Sequence, residues 1–184
     1  VHRRGYKPKD RDTLKELLKR MIEVRGDEGD FNDIDTSEIE SMESLFMRNK
    51  TFNGNISGWD VSRVKNMSEM FCNTTSFNQD ISKWKFPNVT DMSFMFNNAT
   101  KFNQKIGNWK FPKVINMKGM FWGATSFNQP IGDWEFPKVE DMTGMFYNAT
   151  SFNQDISNWK IYGVFDYGMF ENCPIKDEFK PKME

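Results

Sequence analysis

The chain repeats itself every 25 residues, and this period constrains its fold more than any other feature. A unit of this length cannot bury both of its sides alone, so such units fold by stacking on one another. Each unit has the same residue types at the same offsets, and we expect them to form continuous interior columns. The two clearest columns are Trp59, Trp84, Trp109, Trp134 and Trp159, and Phe52, Phe77, Phe102, Phe127 and Phe152.

The unit that begins at Met117 shows the three short motifs of the repeat, Met-x-x-Met-Phe, Phe-Asn-Gln and Ile-x-x-Trp-x-Phe-Pro. The Trp-x-Phe segment alternates apolar and polar residues, which is the period of a half-buried strand, and proline ends it at Pro87, Pro112 and Pro137. The Met-x-x-Met-Phe segment is too short for an independent helix, so we expect a single helical or 3₁₀ turn. These features predict an α/β repeat solenoid of short parallel strands.

Methionine and phenylalanine are abundant, with 13 and 18 copies. Clustered thioethers can bind soft metals such as copper or silver. Here the repeated methionines lie beside phenylalanine, which favours core packing. The asparagine of Phe-Asn-Gln predicts a buried ladder of amides that bond neighbouring backbone groups. Asn98-Ala99-Thr100 and Asn148-Ala149-Thr150 share one repeat position, which indicates turns rather than glycan acceptors.

Both ends of the array differ from its middle. Residues 13–26 predict an amphipathic helix that covers the first unit. A capping box at Thr13-x-x-Glu16 marks its start and Gly26 its end. The alternative is a helix that lies on a membrane surface. The last unit is one residue short of the repeat and degenerate. We therefore divide the chain into an N-terminal arm and capping helix (1–26), a solenoid of about five repeats (27–170) and an irregular C-terminal tail (171–184).

The motifs Phe-Asn-Gln-Asp-Ile-Ser-x-Trp and Val-x-x-Met-x-x-Met-Phe resemble those of BspA-like leucine-rich-repeat surface proteins. The likeness runs from about residue 10 to residue 170. It implies a right-handed leucine-rich-repeat-like solenoid and a role in bacterial attachment or host-protein binding at the cell surface. The family implies no catalytic residues. The sequence shows no leader, lipoprotein cysteine or wall anchor, so we expect any such segment to lie outside this chain.

Several chemistries are disfavoured by the sequence. A formal charge of -1 gives no electrostatic reason to expect nucleic acid or an anionic membrane surface. No apolar stretch approaches the ~20 residues of a membrane span. His2 is the single histidine, so we expect no catalytic triad or histidine metal site. The acidic run from Asp27 to Asp35 lacks the order of a calcium-binding EF-hand loop, and Cys72 and Cys173 are predicted to be free thiols. We expect no cofactor and no enzyme activity.

Positions that vary between units while the framework stays fixed are the candidate binding positions. The outward position within Trp-x-Phe holds Lys85, Lys110, Glu135 and Lys160. A second variable position, after Met-x-x-Met-Phe, holds Trp122 and Tyr147, and exposed aromatic residues commonly anchor interfaces.

These positions predict a monomeric, non-enzymatic interaction module, and the resemblance implies adhesion at a bacterial surface or secretion from the cell. It would bind a protein or glycan of a host or neighbouring cell. The alternative is a structural spacer that has no specific ligand. An enzyme is the third and least favoured hypothesis, since no set of catalytic residues stands apart from the repeat.

Overall fold

The structure, a computed structural model, describes residues 5–182. It contains one α-helix, α1 (Arg11–Arg25), and one short 3₁₀ helix (Asp177–Phe179). Between these helices the 25-residue units stack on one another. Isolated parallel bridges join equivalent positions of successive units, at Ser41, Asn66, Asp91, Asn116, Asp141 and Phe165. The last step spans 24 residues rather than 25, which confirms that the final unit is one residue short.

The predicted α/β solenoid of parallel strands is wrong. Within residues 5–182 only isolated bridges occur, and none of them falls on a Trp-x-Phe segment. The backbone there folds back on itself, as where the amide of Trp109 donates to the carbonyl of Ile106 at 3.1 Å. Such a turn cannot present the continuous row of donors and acceptors that a strand requires. The right-handed leucine-rich-repeat-like array of strands is therefore corrected to a stack of turns.

The tryptophan side chains join the units on this side instead. The indole Nε1 of Trp109 donates to the carbonyl oxygen of Ile81, in the preceding unit, at 3.2 Å. All five repeat tryptophans make the equivalent bond at 2.9–3.2 Å. Each ring is at most 4% exposed. The tryptophan column therefore supplies both buried apolar area and hydrogen bonds between units.

The backbone hydrogen bonds between units, which were expected along the Trp-x-Phe segments, are made by the Met-x-x-Met-Phe segments. The amides of Met67, Glu69, Phe71 and Asn73 donate to carbonyls of the next unit at 2.8–2.9 Å. Between these donors the chain makes β-turns, with positive φ of 57° at both Glu69 and Asn73. Left-handed residues interrupt a helix as well as a strand, so the predicted helical or 3₁₀ turn is also wrong.

The inward-facing columns are present as the repeat predicts. Phe71 lies parallel to Phe96, with ring centroids 5.5 Å apart, and both side chains are fully buried. The column from Phe46 to Phe146 has a spacing of 5.5–5.6 Å. The neighbouring column from Phe52 to Phe152 has a spacing of 6.0–6.1 Å. Because equivalent rings are closer in the first column, the stack bends toward the Met-x-x-Met-Phe side.

The asparagine ladder is confirmed in its hydrogen bonds but not in its burial. The side-chain oxygen of Asn103 accepts the backbone amide of Asn128 at 3.0 Å, and the same bond recurs along the column. These asparagines are exposed or half-buried. The predicted turns at Asn98 and Asn148 are confirmed by positive φ values of 55° and 57°.

Helix α1 covers the first unit with Leu14, Leu18 and Met21, all buried. Its N-cap is Asp10, whose carboxylate accepts the amide of Thr13 at 2.8 Å, so the predicted capping box is wrong. Hydrogen bonds from the Thr13 backbone and side chain hold the pKa of Asp10 below its ordinary value. Gly26 ends the helix with φ +79°, as predicted.

The tail is more ordered than the sequence predicts. The carbonyl of Phe179 accepts the amide of Ile156 at 3.0 Å. The amide of Lys176 donates to the side chain of Asn153 at 3.0 Å, and Ile175 is 5% exposed. The tail therefore packs on the Phe-Asn-Gln side of the unit that begins at Met142.

Candidate interaction surfaces

The four charged positions predicted on the Trp-x-Phe side are exposed. Lys110 lies between Trp109 and Phe111, whose side chains are both buried, so its own side chain is held outward. Lys85, Glu135 and Lys160 occupy the same position in neighbouring units. Within residues 5–182, none of the four belongs to an ion pair. Their charged groups are thus available to a ligand.

Two adjoining grooves contain these side chains, and Lys110 lines both. The Lys85 groove has a volume of about 760 Å³ and is lined by Lys83, Lys85 and Lys110, with no carboxylate. Its other lining residues include Phe86, Pro87 and Pro112. This combination of three ammonium groups and apolar surface suits a ligand that is acidic and partly apolar.

The Glu135 groove has a volume of about 750 Å³ and a balanced lining. Lys110 and Lys160 contribute positive charge, and Asp133 and Glu135 contribute negative charge. Each unit contributes two variable outward positions, one on each side of the tryptophan, and the two grooves differ in charge because the residues at both positions change along the chain.

The aromatic row, defined as Phe94, Trp122 and Tyr147, lies on the Met-x-x-Met-Phe side. The ring centroids of Trp122 and Tyr147 are 4.2 Å apart, and those of Phe94 and Trp122 are 6.3 Å apart. All three side chains are half-buried. A Cβ atom on Gly144 would lie 2.7 Å from the Trp122 ring, so the bare glycine makes room for the indole.

The structure thus brings Trp122 next to Tyr147, and Lys110 next to Glu135 and Lys160, but it does not join the two sets. The lining of neither groove includes the aromatic row. Phe94 was missed in the sequence. The signal was present, because the position of Phe94 is taken by glycine in the next two units, which leaves space for a large neighbouring ring.

The remaining candidates have structural contacts. Arg25 binds Asp33 at 2.7 Å in the acidic run. Cys72 and Cys173 are free thiols, as predicted, and burial raises the pKa of each. The described residues contain no group of three histidine, cysteine, aspartate or glutamate side chains that could hold a metal ion. His2 lies outside the part of the chain that the structure describes.

These features define a tandem-repeat protein with variable outward surfaces. The family model "Mycoplasma protein of unknown function, DUF285" matches residues 13–124 and again residues 81–181. The two overlapping matches cover well over half of the chain, so the protein belongs to this family. No curated protein and no solved structure matches the chain. Within residues 5–182, no helix has the length and apolar character needed to cross a membrane.

Proposed function

We propose that the protein is a non-enzymatic interaction module that binds a protein or glycan partner through its repeat surface. The observation that carries this proposal is the pair of adjoining grooves, whose charged lining is exposed, unpaired within residues 5–182, and different from unit to unit. The stacked core fixes the backbone from which these side chains extend, so a ligand would meet positively and negatively charged positions at a set spacing.

An acidic segment of a protein fits the Lys85 groove best. Carboxylates of such a segment would meet Lys83, Lys85 and Lys110, while its apolar side chains would contact Phe86 and the neighbouring prolines. A neutral glycan would leave the ammonium groups without partners. The resemblance to BspA-like surface proteins supports the further proposal that the partner belongs to a host or neighbouring cell, and that the protein acts at a cell surface or is secreted.

The test is charge reversal of Lys85, Lys110 and Lys160 together. Binding to immobilised acidic peptides, to heparin and to uncharged glycans is measured by biolayer interferometry. We expect the triple Lys→Glu variant to lose about tenfold or more in affinity for the acidic peptides, because like charges across an interface are repulsive. Tighter binding to uncharged glycans than to acidic peptides would make the glycan the partner class.

The matched control reverses three exposed lysines outside both grooves, Lys9, Lys50 and Lys138. This variant has the same net charge as the test variant. Equal losses in the two variants would show a nonspecific charge effect and contradict a groove site. If neither lysine variant nor the Trp122→Ala/Tyr147→Ala double variant alters peptide binding or attachment to cells and matrix, the spacer hypothesis replaces the binding module.

The aromatic row gives a second candidate surface for the same function. Trp122→Ala combined with Tyr147→Ala removes two half-buried rings that pack against each other. Aromatic anchors typically account for about 2 kcal/mol or more of binding energy when they are truncated. A large loss of attachment in this double variant, with the lysine variant unaffected, would move the binding surface from the grooves to the aromatic row.

A further inference from the structure

The four backbone hydrogen bonds that each Met-x-x-Met-Phe segment makes to the following unit run in one direction. In the fifth Met-x-x-Met-Phe segment, the amides of Met142, Gly144, Phe146 and Asn148 donate to carbonyls of the last unit at 2.7–2.9 Å. Each earlier unit donates to the following unit in the same way. One bond per unit, just before the segment, runs the other way, as from the amide of Phe165 to the carbonyl of Glu140 at 2.9 Å. Along the Met-x-x-Met-Phe segments themselves, the stack has a donor end and an acceptor end.

At the donor end, the last unit leaves its segment amides without acceptors among the residues that the structure describes. In the last unit, the equivalent amides are those of Asp166, Gly168, Phe170 and Asn172, 24 residues further along the chain. None of these four amides has an acceptor among residues 5–182. We call them the open donor edge. The tail makes its backbone hydrogen bonds to Ile156 and Asn153 on the Phe-Asn-Gln side, and at the edge its Lys180 lies over the Phe170 ring without accepting any of the four amides.

The acceptor end is covered by α1. Arg11 Nε donates to the carbonyl of Glu43 in the first unit, and Leu14 and Leu18 are buried against the core. A second copy therefore cannot bring its acceptor end to the open donor edge unless α1 detaches. Two open donor edges cannot pair with each other either, because both present amides. These facts disfavour a second copy as the occupant.

The side chains at the open donor edge also select against another unit of the same repeat. Asp166 occupies the position that holds buried methionine in earlier units, such as Met117 and Met142. A further methionine stacked there would bury the carboxylate without a partner, which is costly. Phe165 and Tyr167 beside it are 71% and 85% exposed.

The edge segment itself is acidic. Residues 164–172 contain Asp166 and Glu171 and no lysine or arginine, and the Lys180 ammonium over the Phe170 ring is paired with Asp177 of the tail. A segment that adds to this edge must supply backbone carbonyls at every second residue, and a cation opposite Asp166. Its apolar side chains would contact Phe165 and Tyr167. Backbone addition to an unpaired edge, with side chains that provide specificity, is an established mode of peptide recognition.

We infer that the open donor edge binds a basic segment of another polypeptide by backbone addition, in the position that a further unit would occupy. This inference goes beyond the proposed function and does not rest on it, because the edge is separate from both grooves. The partner carbonyls accept the four free amides, and a lysine or arginine pairs with Asp166.

Hydrogen exchange measured by NMR on the full chain tests the edge directly. In the free monomer, we expect the four edge amides to exchange rapidly, and the amides of Met142, Gly144, Phe146 and Asn148 to exchange slowly. Slow exchange of the edge amides in the free monomer would overturn the inference. So would protection that rises with protein concentration, because that result would identify a second copy as the occupant.

A synthetic peptide provides the binding probe. It carries residues 114–125 of this chain with Met117→Lys, which retains the glycines that the turns require at positions 119 and 123. We expect it to slow exchange at the four edge amides. The unchanged peptide, with Met117, should bind about tenfold more weakly, because it leaves Asp166 without a cation. Binding that leaves the exchange of the edge amides unaltered would refute backbone addition.

The Asp166→Met variant is the matched protein control. It should reverse the preference, so that the unchanged peptide binds more tightly than the lysine peptide. Slow exchange at Met142 and Phe146 in this variant reports that the last two units remain stacked. If the preference is the same for both proteins, Asp166 does not select the partner and the inference fails. Reversal of the groove lysines should leave edge binding unchanged, which separates this test from that of the proposed function.

Discussion

Replacing Trp109 by phenylalanine tests how strongly the tryptophan column joins the units. The indole of Trp109 is 1% exposed and its Nε1 bonds the carbonyl of Ile81 at 3.2 Å. Phenylalanine can keep the apolar contact with the neighbouring rings but has no donor. The Ile81 carbonyl still accepts the amide of Trp84 at 3.1 Å, so it is not left without a partner.

The expected loss of stability has two parts. Removing a hydrogen bond of this kind costs about 1 kcal/mol. The smaller ring also leaves roughly 40 Å² of apolar area unfilled, which adds about 1 kcal/mol, and incomplete collapse of the cavity adds a further fraction. The free energy of unfolding should therefore fall by about 2–3 kcal/mol. For a chain of this size, this corresponds to a decrease in Tm of about 5–10 °C.

Trp122→Phe is the matched control, since it makes the same change at a half-buried ring. In the part of the chain that the structure describes, the indole of Trp122 donates no hydrogen bond, and phenylalanine can still stack on Tyr147. We expect a loss of about 0.5 kcal/mol or less. Urea denaturation followed by circular dichroism gives both values. Equal losses in the two variants would refute the argument that the buried indole bond joins the units.

Three further results are expected. Gly144→Ala should lower the free energy of unfolding more than Gly163→Ala does. Both residues have positive φ, but only an alanine at position 144 would place its Cβ 2.7 Å from the Trp122 ring. Equal losses in urea titrations of the two variants would contradict this clash. Asp10→Ala should destabilise the protein at neutral pH. This difference from wild type should disappear as pH falls through the lowered pKa of Asp10, because the wild-type carboxylate is then protonated and no longer stabilises the helix. A difference in stability that persists in acid would rule out the role of Asp10 as the cap. The Cys72 thiol, whose pKa burial raises, should react slowly with iodoacetamide until urea unfolds the chain, and rapid reaction of the folded protein would contradict its burial.

The candidate surfaces could be predicted in part. The outward position of Lys110 follows from its place between two apolar residues of the repeat, and the proximity of Trp122 and Tyr147 follows from their spacing of 25 residues. The grooves could not be predicted, because their shape depends on how far apart neighbouring units lie. The free amides of the last unit could not be predicted either, since they depend on where the tail packs.

The sequence by itself determined that 25-residue units stack, and which side chains fill the interior, because identical residues at identical offsets can bury each other only in that way. It also determined the helix that covers the first unit and its stop at Gly26. Only the tertiary structure decided how the backbones of the units are joined. Left-handed conformations at Glu69 and Phe94 are imposed by packing between units and not by residue preference. The alternating apolar residues of Trp-x-Phe therefore predicted strands there. The backbone hydrogen bonds between units instead lie along the turns of the Met-x-x-Met-Phe segments.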